Sequence, residues 1–129
     1  MLNDPIANAL SKILNAEKLG KESCLIRPSS NILKEILKIM QEKRFIGEFK
    51  EVCSYKGGMI KVELVGRINK CGVIKPRYST KKTEFEKFEK RYLPAKGFGI
   101  IIISTPLGIM THEDAIKKNS GGVLLAYCY

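Results

Sequence analysis

Apolar side chains recur along this chain with two different periods, and the change between them marks out its elements. Ile6, Leu10, Ile13 and Leu14 fall at helical spacing. Asp4 offers a capping oxygen ahead of them, Pro5 suits the first helical position, and Leu19-Gly20 supplies a left-handed stop. Ser23 to Arg27 reads as a short extended piece entering Pro28, which disfavours helix just before it. Ser29, Ser30 and Asn31 carry capping oxygens for a second helix. Its predicted buried face is Ile32, Leu33, Ile36, Leu37, Ile39 and Met40, with Lys34, Glu35 and Lys38 outside. After Arg44 the period drops to two. Phe45 to Tyr55 and Met59 to Val65 read as strands around Lys56-Gly57-Gly58, because glycine accepts the positive φ of tight hairpins. Ile60, Val62 and Leu64 lie on one face of the return strand, Lys61 and Glu63 on the other.

Gly66 to Pro76 is basic and broken by glycine, and reads as the crossing to a second module. Phe85, Phe88 and Tyr92 restore helical spacing among charged neighbours, which predicts a short surface helix closed by Pro94. Phe98 to Thr105 is a near-continuous apolar run, the mark of a strand buried on both faces, and Pro106-Leu107-Gly108 breaks it. Thr111 can cap a short helix from His112 to Lys118, with Asp114 in the position of a capping-box partner. Gly121-Gly122 is expected to turn the chain into a last strand, Val123 to Tyr129. The pattern predicts an α/β (α+β) fold of two small domains. Residues 1–65 form a helix-strand-helix-strand-strand unit with one sheet face covered by helices, and residues 66–129 a mainly β domain with short helices.

A length of 129 residues agrees with one ordinary domain or two small ones, and a hydrophobic fraction of 44% is enough for a core. The longest apolar stretches, Ile100 to Ile103 and Val123 to Tyr129, fall well short of the ~20 residues of a membrane helix. MLNDPIANAL has no basic region followed by an apolar block, so no secretory signal is expected. These features predict a soluble, intracellular protein with no membrane partner.

The net charge of +10 is unevenly placed: between Gly66 and Lys96 stand 10 basic residues and only 3 acidic ones. A positive field so concentrated favours a polyanion, because neutralised phosphates release condensed counterions. The alternative is a solvated basic surface kept for solubility. Cys24, Cys53, Cys71 and Cys128 form no CxxC pair, so free buried thiols are expected rather than a zinc site.

His112-Glu113-Asp114 is the one place where a His stands beside two carboxylates. Adjacent helical positions point in different directions, however, and acidic residues in a first turn complement the helix dipole. No glycine-rich phosphate loop follows a strand, and Gly97-Phe98-Gly99 alone is not one. An enzyme, a cofactor and a metal site are therefore not expected. Ser104, Thr105, Gly108 and Thr111 cluster at a strand end. Their hydroxyls either bond to base edges, phosphates and ribose or simply form the turn and cap the helix. Tyr78 stands free of the helical spacing among basic residues, as a stacking side chain does.

The run STPLGIMTHEDAIKKNSGGVLLAYCY resembles the C-terminal signature of the small-subunit ribosomal protein eight family. That signature is Ser-Thr-x-x-Gly-x-x-Thr/Asp-x-x-x-Ala, a Gly-Gly or Gly-Glu turn, and a final strand ending in an aromatic. Ser104, Thr105, Gly108, Thr111, Ala115, Gly121 and Gly122 fill it here. Asp4-Pro5-Ile6-Ala7 and Asn15-Ala16 are similar to the family's opening. Gly66 to Gly72 and Pro76-Arg77-Tyr78 are similar to its archaeal and eukaryotic branch, so the likeness spans essentially the whole chain.

The resemblance implies a cytoplasmic structural constituent of the small ribosomal subunit. Such a protein binds an irregular helix of the rRNA central domain early in assembly, helps build the subunit platform and touches neighbouring ribosomal proteins. In bacteria the family also represses its own operon by binding a similar shape in its messenger RNA. Carried over, Ser104 and Thr105 touch the distorted internal loop with Gly108 and Thr111 beside them, and Gly121 and Gly122 let backbone approach RNA. Asp4, Lys12, Ser29 and Ser30 are the implied contacts of the N-terminal domain; Arg77 and Tyr78 join the RNA-binding candidates from their place in the basic stretch. The chain departs at Pro106, where the bacterial pattern has a third hydroxyl, and its basic stretch Lys75 to Arg91 is longer. The rival readings are an RNA-binding or translational-regulator module outside the ribosome and a small hydrolase using His112.

Overall fold

The computed structural model describes residues 5–26, 31–52, 59–74, 79–94 and 98–129. Asp4, Ser29, Ser30, Cys53, the expected Lys56–Gly58 turn, Arg77 and Tyr78 lie outside them. The chain divides into two compact units, Met1–Lys70 and Cys71–Tyr129, each built of helices and an antiparallel sheet in an α+β arrangement. Ile68 is buried and donates its N–H to Glu17 Oε1 at 3.3 Å, which ties the end of the first unit back to its first helix.

The first unit runs α1 (Pro5–Lys18), β1 (Ser23–Ile26), α2 (Asn31–Glu42), β2 (Ile46–Val52) and β3 (Met59–Leu64). Its sheet has the order β1-β3-β2, with Leu25 opposite Lys61 and Phe49 opposite Val62. Strand alternation sends Ile60 and Val62 inward and Lys61 and Glu63 outward. The buried side chains include Ala9, Leu10 and Ile13 of α1 and Leu33, Ile36, Leu37 and Met40 of α2. Ile32, expected on that face, is 47% exposed, although Ile39, two turns on at the same angular position, is buried; Ile32 lies in the first turn, where α2 begins. Both helices end in the same pair of backbone bonds. In α1 Lys21 N–H donates to Ala16 O and Gly20 N–H to Glu17 O; in α2 Phe45 and Arg44 repeat this on Met40 and Gln41. Gly20 takes the required positive φ, and so does Arg44 at φ 65°, a conformation that side chains rarely adopt.

The second unit runs β4 (Cys71–Val73), β5 (Ser79–Thr80), a 3-10 turn (Lys82–Glu84), α3 (Phe85–Tyr92), β6 (Ile100–Thr105), β7 (Gly108–Thr111), α4 (His112–Lys117) and β8 (Gly122–Cys128). Strand order is β4-β8-β6-β7, with β5 also paired to β8. β6 is buried on both faces, as its apolar run requires. Phe98, expected to open that strand, stands before it and is 66% exposed. Pro106-Leu107 does not end the sheet. It joins β6 to β7 as a two-residue hairpin loop with Thr105 paired to Gly108. One core packs Phe85 and Phe88 of α3 against Ile101, Ile103, Met110, Leu124 and Ala115. Tyr92, Tyr127 and Tyr129 form a stacked row beside it, with ring centroids 5.5 and 6.4 Å apart.

Three local devices shape the end of this sheet. The pairing of β6 with β8 slips between Ile102↔Ala126 and Ile103↔Leu124, so Leu125 is an extra residue in β8. Such a bulge turns the strand, and here its carbonyl accepts the N–H of Ile74 at 3.0 Å. The reversal after α4 is made by Asn119 at φ 53°, whose neighbour Ser120 donates to Ala115 O. Gly121-Gly122, expected as the turn, therefore serve another purpose, since Gly122 already belongs to β8. Beyond the last β6–β7 pair, Ile102↔Thr111, the N–H of Ile101 is taken by Nδ1 of buried His112 at 3.2 Å. The ring extends the ladder where β7 stops. Replacing His112 by Ala leaves that donor buried and unpaired, so His112→Ala is expected to lower stability in urea unfolding by about 1–3 kcal/mol. A change within about 0.5 kcal/mol, as at an ordinary surface site, would contradict this.

Candidate nucleic-acid interface

The first strand of contact at the sheet end is between backbones. Val123 pairs with Ser104 on one side and with Ser79 on the other, while Gly122 stands opposite Thr80. A Cβ built on Gly122 would lie 2.3 Å from the Ser104 carbonyl oxygen and 3.1 Å from Thr105 Cγ2. No side chain fits there. β5, the start of β8 and the end of β6 meet only because residue 122 has none.

The hydroxyls at this end divide by role. Thr105 is buried; its Oγ1 donates to Gly108 O at 2.7 Å and accepts from Leu107 N–H at 3.1 Å. It closes the loop on itself. Gly108, at φ 125°, takes the conformation that returns the chain after Pro106-Leu107. Thr111 is buried and caps α4, accepting from Asp114 N–H at 3.3 Å. Thr105 and Gly108 hold the loop in shape, whereas Thr111, opposite Ile102 at the far end of β7, holds the start of α4 and does not join the cluster expected from the sequence. Ser104 is half-buried, and its hydroxyl makes no bond to another described residue, so it is the member of the set available to a ligand. Ser120 Oγ donates to Gly121 O at 3.1 Å.

Residues 79–81, Glu84, Ser104, Pro106 and residues 121–123 line an open groove of about 440 Å³. Thr80 is buried with its Oγ1 unpartnered among the described residues. Sequence reasoning missed residues 79 to 84 as part of this surface. Their only signal is three hydroxyl residues, Ser79, Thr80 and Thr83, in the most basic stretch of the chain, since pairing between β5 and β8 leaves no local pattern.

In the first unit, Lys12 is exposed on α1. It lines a depression of about 450 Å³ with Asn15, Leu19, Lys21, Cys24 and Leu25. Burial pushes the Cys24 thiol up, against the opposing pull of Lys12 and Lys21. Cys71 and Cys128 are buried, form no disulfide, and stand directly opposite each other across β4 and β8. Among the described residues no group of His, Cys, Asp or Glu has the placement to hold a metal ion. His112 is committed to Ile101, and its Nε2 stands 3.8 Å from Glu89 Oε2 inside the core, not at a surface where a substrate could reach it.

The sequence matches the family described as Ribosomal protein S8 over residues 4–129. The chain belongs to that family, which comprises rRNA-binding proteins of the small ribosomal subunit and is not an enzyme family. No helix among the described residues is long and apolar enough to cross a membrane.

Because the Gly122 contact is with backbone, it has no flexible end to give. Gly122→Ala is expected to destabilise the protein by about 1–3 kcal/mol through overpacking, read as a lower urea midpoint. An unchanged midpoint would show that β6 and β8 can part without cost.

Proposed function

We propose that this ribosomal protein S8 family member is a primary rRNA-binding protein. In this reading it docks on an irregular helix of the small-subunit rRNA central domain and helps assemble the subunit platform. The observation that carries the reading is the groove where Gly122 brings the Ser104 backbone against β8 without an intervening side chain. A perfectly paired A-form helix offers a protein mainly phosphates and ribose hydroxyls, whereas an internal loop offers splayed bases and an altered backbone path. An open groove with a free hydroxyl at Ser104 fits the second kind of target.

Each candidate residue then has a definite part. Ser104 bonds to the RNA, and Gly121 and Gly122 admit its backbone closely. Thr105 and Gly108 act through the loop they hold, and Thr111 through the helix it caps. Lys12 meets phosphate from the first unit. Asp4, Ser29, Ser30 and Arg77 add contacts from their own segments, and Tyr78 stacks on a base. The 10 basic residues between Gly66 and Lys96 supply affinity that depends on salt, while the groove supplies shape preference that does not. A messenger RNA that folds into the same shape is a second ligand on this reading, and neighbouring ribosomal proteins cover other surfaces. No catalytic step is assigned, because the one His is spent on Ile101.

The test is binding to a central-domain rRNA fragment and to a paired duplex of equal length over a salt series. Both affinities are expected to fall with salt, but the preference for the fragment should remain at about tenfold or more, near 1.4 kcal/mol. Equal binding that fades together would reduce the protein to a basic surface and overturn the reading.

A further inference from the structure

We propose that Glu84 reads a nucleobase. Its carboxylate accepts a hydrogen bond from the exocyclic amine of an unstacked base lodged beside Ser104 and Gly122. The inference rests on the RNA-binding reading above and names what the groove selects: cytosine, adenine or guanine in place of uracil, which has no such amine.

The basic stretch from Gly66 to Lys96 contains three carboxylates, and the structure gives each a different situation. Glu86 reaches Lys90 at 3.9 Å, one helical turn away. Glu89 is buried, with Oε2 3.8 Å from His112 Nε2. Glu84 is exposed and lines the groove. It occupies the N-cap position of α3, yet its side chain makes no capping bond, and it has no ion pair among the described residues. Its charge complements the dipole of the helix it opens, and its carboxylate stays exposed at the groove.

A carboxylate repels phosphate, so in a groove that receives RNA it must face a donor. RNA carries donors on its base edges and at the ribose 2′-hydroxyl. A groove of about 440 Å³ lies in the size range of small-ligand sites, ample for one base. Carboxylates pair with the amino group of cytosine for the same geometric reason in double-stranded nucleic acid. Lys81 lines the groove with Glu84, where its ammonium balances the phosphate of the same nucleotide. Thr80, whose hydroxyl lacks a partner among the described residues, stands in the wall beside them.

The sign of one substitution separates this from a bystander charge. If Glu84 only adds negative field, Glu84→Met relieves repulsion and tightens binding to every RNA. If it reads a base, Glu84→Met, which removes both charge and acceptor at similar size, weakens binding of the full chain to the central-domain fragment by about five- to a hundredfold. It leaves binding to the plain duplex unchanged or tighter. Fragments with single unpaired bases changed from cytosine to uracil, or from adenine or guanine to hypoxanthine, should then show one position whose swap costs nothing further in Glu84→Met. Unchanged or tighter fragment binding by Glu84→Met overturns the inference, and so does a loss that tracks a 2′-deoxy substitution instead of a base swap. If the unsubstituted chain shows no preference for the fragment, it is the RNA-binding reading itself that fails.

Discussion

The close approach of Gly122 to the Ser104 carbonyl is the constraint on which the working end of this molecule depends. Antiparallel strands hold their backbones about 5 Å apart, and a side chain pointing across that space has to find room. At position 122 there is none, since a Cβ would come within 2.3 Å of a carbonyl oxygen. With glycine there, β8 can start between β5 and β6, and Ser79, Thr80, Ser104 and the Pro106-Leu107 loop come together on one surface.

The rest of the second unit keeps that surface in place. Phe85 and Phe88 anchor α3 on the sheet, so the 3-10 turn that carries Glu84 is fixed at the groove's edge. The bulge at Leu125 changes which way the early part of β8 faces. Asn119 ends α4 in time for β8 to begin at Gly122. His112 and Thr111, side by side, complete the ladder on one flank and cap α4 on the other. The hydroxyls of Thr105 and Thr111 are consumed in this work, whereas that of Ser104 bonds to no other described residue.

Much of this was legible locally. Helical spacing located α1, α2 and α3, the apolar run located β6, and Thr111 with Asp114 announced α4. What the pattern could not show depends on partners distant in sequence. β5 is two residues long and exists because β8 offers it a ladder. β7 begins at a glycine that reads as a break until it is paired with Thr105. Arg44 fills a left-handed helix stop where a glycine would be the signal, and the two bonds to Met40 and Gln41 hold it there. The family signature pointed to Ser104, Thr105, Gly108, Thr111, Gly121 and Gly122; the structure gathers all but Thr111 around one sheet end, while Thr111 stands at the far end of β7 and caps α4. Lys81 and Glu84 have no place in that signature, and only the folded groove brings them to it.

Ultraviolet crosslinking of the full chain to a central-domain rRNA fragment, with the modified peptides mapped by mass spectrometry, tests the account most directly. Crosslinks are expected to concentrate in residues 79–84, 104–108 and 120–123, around the groove. Crosslinks spread over other basic surfaces, with those three segments unmodified, would contradict it.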